Sequence, residues 1–293
     1  MTPMRTLLFV PAHRESMVQK AHQIPADVIC LDLEDAVPPG EKQTARDSVR
    51  AAIESLKAAG KRVHVRVNHL DTGLTKADLS AAIGPGLDGL LFPKARGAAH
   101  IRELDVLIRE QEMHNGVRPG TVILIPMIES ARALLRAEEI AQASTRIAAL
   151  ALGGEDYAAD LGVPRTPAAN ELEYARRVVI HVAVACGLQP LDGIYTTLHD
   201  EAGLLADARY SRSIGMKGKY VIHPEQVEPI NDVFSPTAKE IEAARRIVTA
   251  YDEAMGRGIG VIDVDGEMVD VPVANRARDL LAYAEAIGRG HGA

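Results

Sequence analysis

Short apolar runs separated by stretches of helical period recur through about the first 225 residues, and this repeat limits the available folds more than any single motif. The runs predict strands over 6–11, 28–33, 63–68, 89–93, 122–128, 147–152, 193–195 and 220–223. Helical periodicity fills 43–59, 100–112, 131–142 and 171–186, and Pro38-Pro39-Gly40, Gly84-Pro85-Gly86 and Pro119-Gly120 mark turns. Eight strand–helix units predict an α/β fold, a (β/α)8 TIM barrel with a C-terminal helical or lid extension. A doubly wound sheet is the rival, but it would normally carry a glycine-rich phosphate turn after its first strand. Phe9-Val10-Pro11-Ala12-His13-Arg14 has no GxGxxG.

Composition supports the barrel and removes several classes of function. Aromatic residues make up 3% of the 293 and Trp is absent, so Val, Ile, Leu and Ala must build the core, as in parallel sheets covered on both faces. A net charge of −7 argues against broad nucleic-acid or anionic-membrane binding, while leaving room for a small anionic ligand beside a local cation. Cys30 and Cys186 form neither a CxxC pair nor a disulfide pattern, which fits a reducing cytoplasm. No apolar run approaches the roughly 20 residues of a membrane span.

After His223-Pro224 the rhythm changes. The predicted division is a barrel over 1–230 and an extension over 231–293, with a helix at 236–255, a small hairpin turning at Asp265-Gly266, and a last helix from about Asn275. Glycines at 256, 258 and 260 precede the hairpin, so the extension reads as a lid, as an arm exchanged between subunits, or as a simple brace.

In a barrel the chemistry lies at the carboxyl ends of the strands. Four of those ends are unusually polar. Alternation along the second strand puts Cys30, Asp32 and Glu34 on one face, with Asp35 following. The third presents His64, Arg66 and Asn68 on one face; the fifth ends in Glu129-Ser130; the sixth runs into Gly153-Gly154-Glu155-Asp156. A buried carboxylate must be hydrogen-bonded, paired or near a cation. Glu129 and Asp156 are hard oxygen donors from different strands and suit Mg²⁺, which takes one or two carboxylates and fills its octahedron with water and substrate oxygens. Asp32, Glu34 and Asp35 would hold the surrounding waters, and Arg66 would grip a substrate carboxylate. For each acid taken alone, a helix cap or a salt bridge is the ordinary alternative. Lys94 reads as a Schiff-base lysine or, more readily, as a lysine paired with a neighbouring acid.

The motifs Leu7-Leu8-Phe9-Val10-Pro11, Leu31-Asp32-Leu33-Glu34-Asp35-Ala36-Val37, Val65-Arg66-Val67-Asn68, Phe92-Pro93-Lys94, Ile128-Glu129-Ser130, Gly153-Gly154-Glu155-Asp156 and Ile222-His223-Pro224 follow one another in order over most of the chain. With them the sequence resembles the citrate lyase beta-chain-like enzymes of the HpcH/HpaI aldolase/citrate lyase superfamily, which include malyl-CoA and citramalyl-CoA lyases. The resemblance implies a TIM barrel, Mg²⁺, and reversible cleavage of a β-hydroxyacyl-CoA thioester into an acyl-CoA and a 2-keto acid. It implies that Glu129 and Asp156 bind the metal, with Glu129 also near substrate, and that Arg66 is the carboxylate clamp. Gly266-Glu267-Met268-Val269-Asp270-Val271-Pro272 looks like the tail of the CoA-lyase members. There the equivalent aspartate enters a neighbouring subunit's site, which would make Asp270 a catalytic acid/base and the protein a homo-oligomer, a trimer. Two alternatives stand beside this: a CoA-independent, metal-dependent aldolase, and a subunit active only with carrier-protein partners.

Overall fold

The computed structural model describes residues 3–290. Eight parallel strands, β1 (Thr6–Pro11), β2 (Val28–Asp32), β3 (Val63–Arg66), β4 (Gly89–Phe92), β5 (Ile123–Ile128), β6 (Ala149–Leu152), β7 (Gln189–Leu191) and β8 (Lys219–Val221), lie side by side in sequence order, with β8 returning to β1. The ring closes between β7 and β8. Asp192 donates its N–H to the Gly218 carbonyl at 2.8 Å, and its own carbonyl accepts the Tyr220 N–H at 3.0 Å. The fold is a (β/α)8 barrel.

Alternation along the strands sorts the apolar residues into two layers. Leu7, Cys30, Leu91, Ile125, Met127, Ala149, Ala151, Leu191 and Tyr220 fill the interior, while the alternate positions meet the outer helices. Burial on both faces explains why the strands read as nearly continuous apolar runs. Helix Lys42–Ala58 shows how the outer ring is written in sequence. Its buried residues Ala45, Val49, Ala52, Ile53 and Leu56 recur at three- and four-residue spacing. Gly60, at φ 76°, stops it: the Gly60 N–H meets the Lys57 carbonyl, and the Lys61 N–H reaches Leu56.

The seventh strand is a correction to the sequence reading. It occupies Gln189–Leu191, not 193–195. Pro190 discourages a strand at that point, yet it sits where no N–H is required: the neighbouring Gln189 N–H pairs with Ala148, and the Pro190 carbonyl accepts from Lys217. The shift carries Gly193 and Ile194 past the strand end and into the wall of a cavity at the mouth.

A buried ion cluster binds the β7–β8 seam. Arg176 forks onto Asp192 (3.0 and 2.9 Å) and reaches Asp207 (2.7 Å). Lys219 bonds Asp192 and Asp207, each at 2.7 Å, and the Ser211 hydroxyl donates to Asp192 at 2.6 Å. Burial alone would raise the Asp192 carboxyl, but Lys219 and Arg176 outweigh it and hold the group well below the usual carboxylate range.

By compactness the chain divides into a barrel unit, Met4–Asn231, and a second unit that contains Asp232 onward. In the latter, helix Ala238–Met255 starts at a Thr237–Glu240 capping box, followed by hairpin β9 (Ile262–Val264) and β10 (Glu267–Val269) and by helix Val271–Gly290. The hairpin turns at Asp265 and Gly266, both with positive φ (56° and 86°), as a two-residue turn of this kind requires. The last helix begins before the expected Asn275, because Pro272 falls in its first turn, where a missing N–H costs nothing. Its hydrophobic centre is Tyr251, Val269 and Ala274. Among the described residues, no helix is long and apolar enough to cross a membrane.

Candidate active site

The mouth is assembled from the ends of β2 to β6. Register places Asp32 of β2 beside Arg66 of β3 on the inner face. Arg66 donates from Nε to Asp32 Oδ1 at 2.8 Å and from Nη2 to Oδ2 at 2.6 Å. Asp32 also accepts the N–H groups of Glu34 (2.9 Å) and Ala36 (3.0 Å). Fully buried and saturated, this carboxylate acts as a bracket for Arg66 and has no free edge for water. Arg66 turns Nη1 toward Glu34 Oε2, 3.2 Å away, and lays its guanidinium 4.4 Å over the Phe9 ring, which in turn stacks on Tyr220 at 5.0 Å. Desolvation works against the guanidinium's charge, but Asp32 and Glu34 overcome it and hold the group firmly protonated.

Lys94 joins the two sides of the mouth. Its Nζ lies 2.6 Å from Glu34 Oε1 and 3.4 Å from Asp35, so this lysine is an ion-pair partner in the structure. Its backbone is in the left-handed region, φ 52°, which is costly for a residue with a Cβ. That conformation aims the Lys94 N–H at Glu129 Oε2, 2.5 Å away. Lys42, which spacing did not single out, donates to the Leu33 and Glu34 carbonyls (2.8 and 2.7 Å) and to Asn68 Oδ1 (2.8 Å), bracing the acidic loop from behind.

Glu129 is buried at the end of β5, and Asp156 stands half-buried in the first turn of helix Gly154–Leu161. Burial drives the Glu129 carboxyl up to about 8, with Asp156 and Glu34 adding to the push against the Lys94 N–H and the Arg66 charge. Burial also raises Glu34, though Arg66 and Lys94 oppose it. Asp35, despite the same desolvation, is held low by its bonds to Glu34 and Lys94. Glu155, the other acid of that motif, is committed to Arg165 at 2.8 Å.

Glycine at 153 makes room for Glu129: a Cβ there would fall onto its carboxylate. Glu129 and Asp156 line both an inner cavity of about 200 Å³, with Phe9, Arg66, Met127, Gly193, Ile194 and Tyr220, and an outer one of about 510 Å³, with Lys94, Arg96, Ser130 and Arg132. The donor set fits a hard divalent cation. Two carboxylates border the same space, and the buried one, Glu129, is destabilised as an anion by burial and by its acidic neighbours and owes its seat to the missing side chain at Gly153. A different group, His69, Asp71 and His100, brings three potential metal-ligand atoms within 4.8 Å of one another. Its members are already engaged: the Asp71 N–H donates to His69 Nδ1, His69 Nε2 lies 3.3 Å from His100 Nδ1, and Asp71 pairs with Arg96.

The barrel thus gathers Asp32, Glu34, Asp35, Arg66, Glu129 and Asp156 at one mouth. Asp270 belongs to the C-terminal unit, where it caps the last helix by accepting the Val273 N–H at 3.3 Å. The sequence reading missed Lys42, the cavity-lining Tyr220 and the backbone role of Lys94. Of these, only Lys94 carried a local signal, its place directly after a strand end.

Residues 5–224 match the family described as HpcH/HpaI aldolase/citrate lyase. The chain is 40% identical over 282 residues to the citrate lyase subunit beta of Leuconostoc mesenteroides subsp. cremoris, covering 96% of this chain and 93% of that one. It is 38% identical over 286 residues to a (3S)-malyl-CoA thioesterase of Cereibacter sphaeroides, covering 97% and 96%. Among solved structures, the CitE protein of Mycobacterium tuberculosis in complex with magnesium, acetoacetate and coenzyme A superposes with a TM-score of 0.76 at 28% identity, over 97% of this chain and 98% of that one. The chain belongs to the HpcH/HpaI aldolase/citrate lyase family.

Proposed function

We propose that this protein is a Mg²⁺-dependent carbon–carbon lyase that reversibly cleaves a β-hydroxyacyl-CoA thioester of the malyl-, citramalyl- or citryl-CoA type into an acyl-CoA and a 2-keto acid. The observation that carries this reading is the pair Glu129 and Asp156. They face one cavity in a mouth whose other acids already have cationic or N–H partners. They would hold the ion, which when bound supplies Lewis-acid polarisation of the substrate's 2-hydroxy and carboxylate oxygens. The CitE structure with magnesium, a keto acid and coenzyme A supports both the ion and the substrate class.

The chain's own groups divide the remaining work. Asp32 fixes Arg66 so that the remaining N–H groups on the Nη1 and Nη2 edge of the guanidinium serve the substrate carboxylate and the oxygen that becomes the ketone. Lys94 holds Glu34 with its ammonium and Glu129 with its N–H, keeping both carboxylates in register. Asp35 and Glu34 edge the site with acceptors for water. When the C–C bond breaks, the hydroxyl proton passes to a water held by Glu34 and Asp35 as the ketone forms, and the electron pair of the broken bond passes to the acyl-CoA half as an enolate. Asp270 of a second copy in a homo-oligomer, a trimer in this reading, delivers the proton to that carbon. The hairpin and capped helix around Asp270 are a compact mount for such a residue.

The test is a lyase assay of the purified protein with malyl-CoA, citramalyl-CoA and citryl-CoA, with Mg²⁺ or EDTA, following both keto acid and free CoA thiol. Mg²⁺-dependent keto-acid release from one thioester is the expected result. Release of CoA thiol without keto acid would replace the lyase reading by thioester hydrolysis, the activity in the name of the Cereibacter relative. No turnover of any thioester, despite bound Mg²⁺, would shift the reading to a CoA-independent aldolase or a subunit requiring a carrier protein.

A further inference from the structure

Tyr220 is the one neutral side-chain donor in the wall of the inner cavity, whose other polar side chains are Asp35, Arg66, Glu129, Glu155 and Asp156. It is 1% exposed, and its hydroxyl has no hydrogen-bond partner among the described residues. The other buried side-chain atoms without partners among the described residues belong to His13, Arg50, His64 and Gln111, none of which lines this cavity. A buried hydroxyl left unpaired is destabilising, and a tyrosine carrying one tends to be kept for what it binds. The ring is held on one face by Phe9, itself clamped under Arg66, so its position is set by packing and does not depend on any bond from the hydroxyl. Burial, with Cys30 and Glu129 nearby, keeps the phenol protonated, so it acts as a donor.

The remaining wall near Tyr220 is apolar, made by Phe9, Met127, Leu152 and Ile194. On the reading above, Glu129, Asp156 and Arg66 are occupied by the ion and the reacting 2-hydroxy acid. The substituent on the keto-acid carbon then faces this wall and its single donor. We propose that Tyr220 is a specificity-determining residue: its hydroxyl donates to an oxygen on the keto-acid substituent, so that the site favours a substituent ending in an oxygen acceptor over one ending in a methyl group. A site built to bond an oxygen rejects the analogue that lacks it, because its own buried donor is then left unpaired.

The inference rests on the lyase reading for the identity of the substrate, so its test is arranged to separate the two. The Mg²⁺-loaded protein is titrated calorimetrically with oxaloacetate and with pyruvate, as wild type and as Tyr220→Phe, which removes the hydroxyl and leaves the stacked ring. The expected result is tighter binding of oxaloacetate by wild type, and a loss of about 10- to 100-fold for oxaloacetate in Y220F with pyruvate unchanged. Mg²⁺ affinity should be unaltered and Tm level or raised, since the hydroxyl has no partner to lose and its unpaired burial is relieved. In turnover, the loss should fall on the KM of the oxygen-bearing thioester and spare kcat. Equal loss for both keto acids, or none for either, overturns the specificity role. Absence of lyase activity alongside a Tyr220-dependent preference in the titration would overturn the lyase reading and leave this one standing.

Discussion

Two clusters of buried charge sit in the same barrel and are built from the same residue types, yet they differ in balance. At the seam, Arg176 and Lys219 meet Asp192 and Asp207, two cations for two carboxylates, every one bonded. At the mouth, Lys42, Arg66 and Lys94 face Asp32, Glu34, Asp35, Glu129 and Asp156, and among the described residues no cation forms an ion pair with Glu129 or Asp156. The seam is complete in itself and fastens β7 to β8. On the proposed reading a divalent cation completes the mouth, and the two clusters already differ in their carboxyls: Asp192 is pulled far down, Glu129 pushed up to about 8. A buried cluster that balances is structure; one that does not is a site waiting for a ligand.

The comparison breaks most sharply by substitution. Glu129→Gln keeps shape and removes charge; it should lower kcat/KM by about 10³ or more, while Tm stays level or rises because an uncompensated buried anion is gone. A fall in Tm as large as that from a seam variant would show that Glu129 is structural. Lys219→Met does the reverse, stranding Asp192 and costing about 3–5 kcal/mol of stability, read from denaturant unfolding, since one partner of a buried pair has been removed. Retained stability would mean that Arg176 suffices for the seam.

How far these differences could be foreseen follows from the range of the interactions. Strand periodicity is local, and it pointed Cys30, Asp32 and Glu34, as well as His64 and Arg66, to one face. It failed for β7, where Pro190 disguises a strand whose ladder happens not to need that N–H. Partnership is not local. That Arg66 forks onto Asp32 depends on the register of β2 against β3, and the seam needs residues 176, 192, 207 and 219 brought together by closure. The polar strand ends singled out Glu129 and Asp156 and the resemblance implies the same pair, but the bond from the Lys94 backbone to Glu129 exists only because of a left-handed φ that no residue type there announces. Tyr220 was invisible for a related reason: nothing in Lys219-Tyr220-Val221 says that its hydroxyl lacks a partner.

Two smaller effects sharpen the contrast. Gly153→Ala would press a methyl onto the Glu129 carboxylate; a drop of about 10- to 100-fold in Mg²⁺ affinity, with the fold intact by circular dichroism, is expected. Unchanged affinity would show that the glycine serves packing alone. The pH dependence of stability should also run in opposite directions at the two clusters. Glu129 has its folded pKa raised, so between its unfolded value of about 4.3 and about 8 the metal-free protein loses stability as pH rises. Asp192 has its folded pKa lowered, so its contribution is present above its unfolded value of about 3.9 and lost as pH falls below it. Unfolding curves measured in EDTA from pH 4 to 8 should lose more stability with rising pH in wild type than in Glu129→Gln, where Glu34 is still raised by burial. Equal slopes in the two proteins would place the source away from Glu129.

The central claim is that the excess negative charge at the mouth is a divalent-metal site built on Glu129 and Asp156. The most direct measurement is calorimetric titration of wild type, Glu129→Gln and Asp156→Asn with Mg²⁺ at neutral pH. One ion bound per wild-type chain, and loss of that binding in both variants, is the predicted result. Wild-type affinity in either variant would contradict it and leave the charge at the mouth without its proposed purpose.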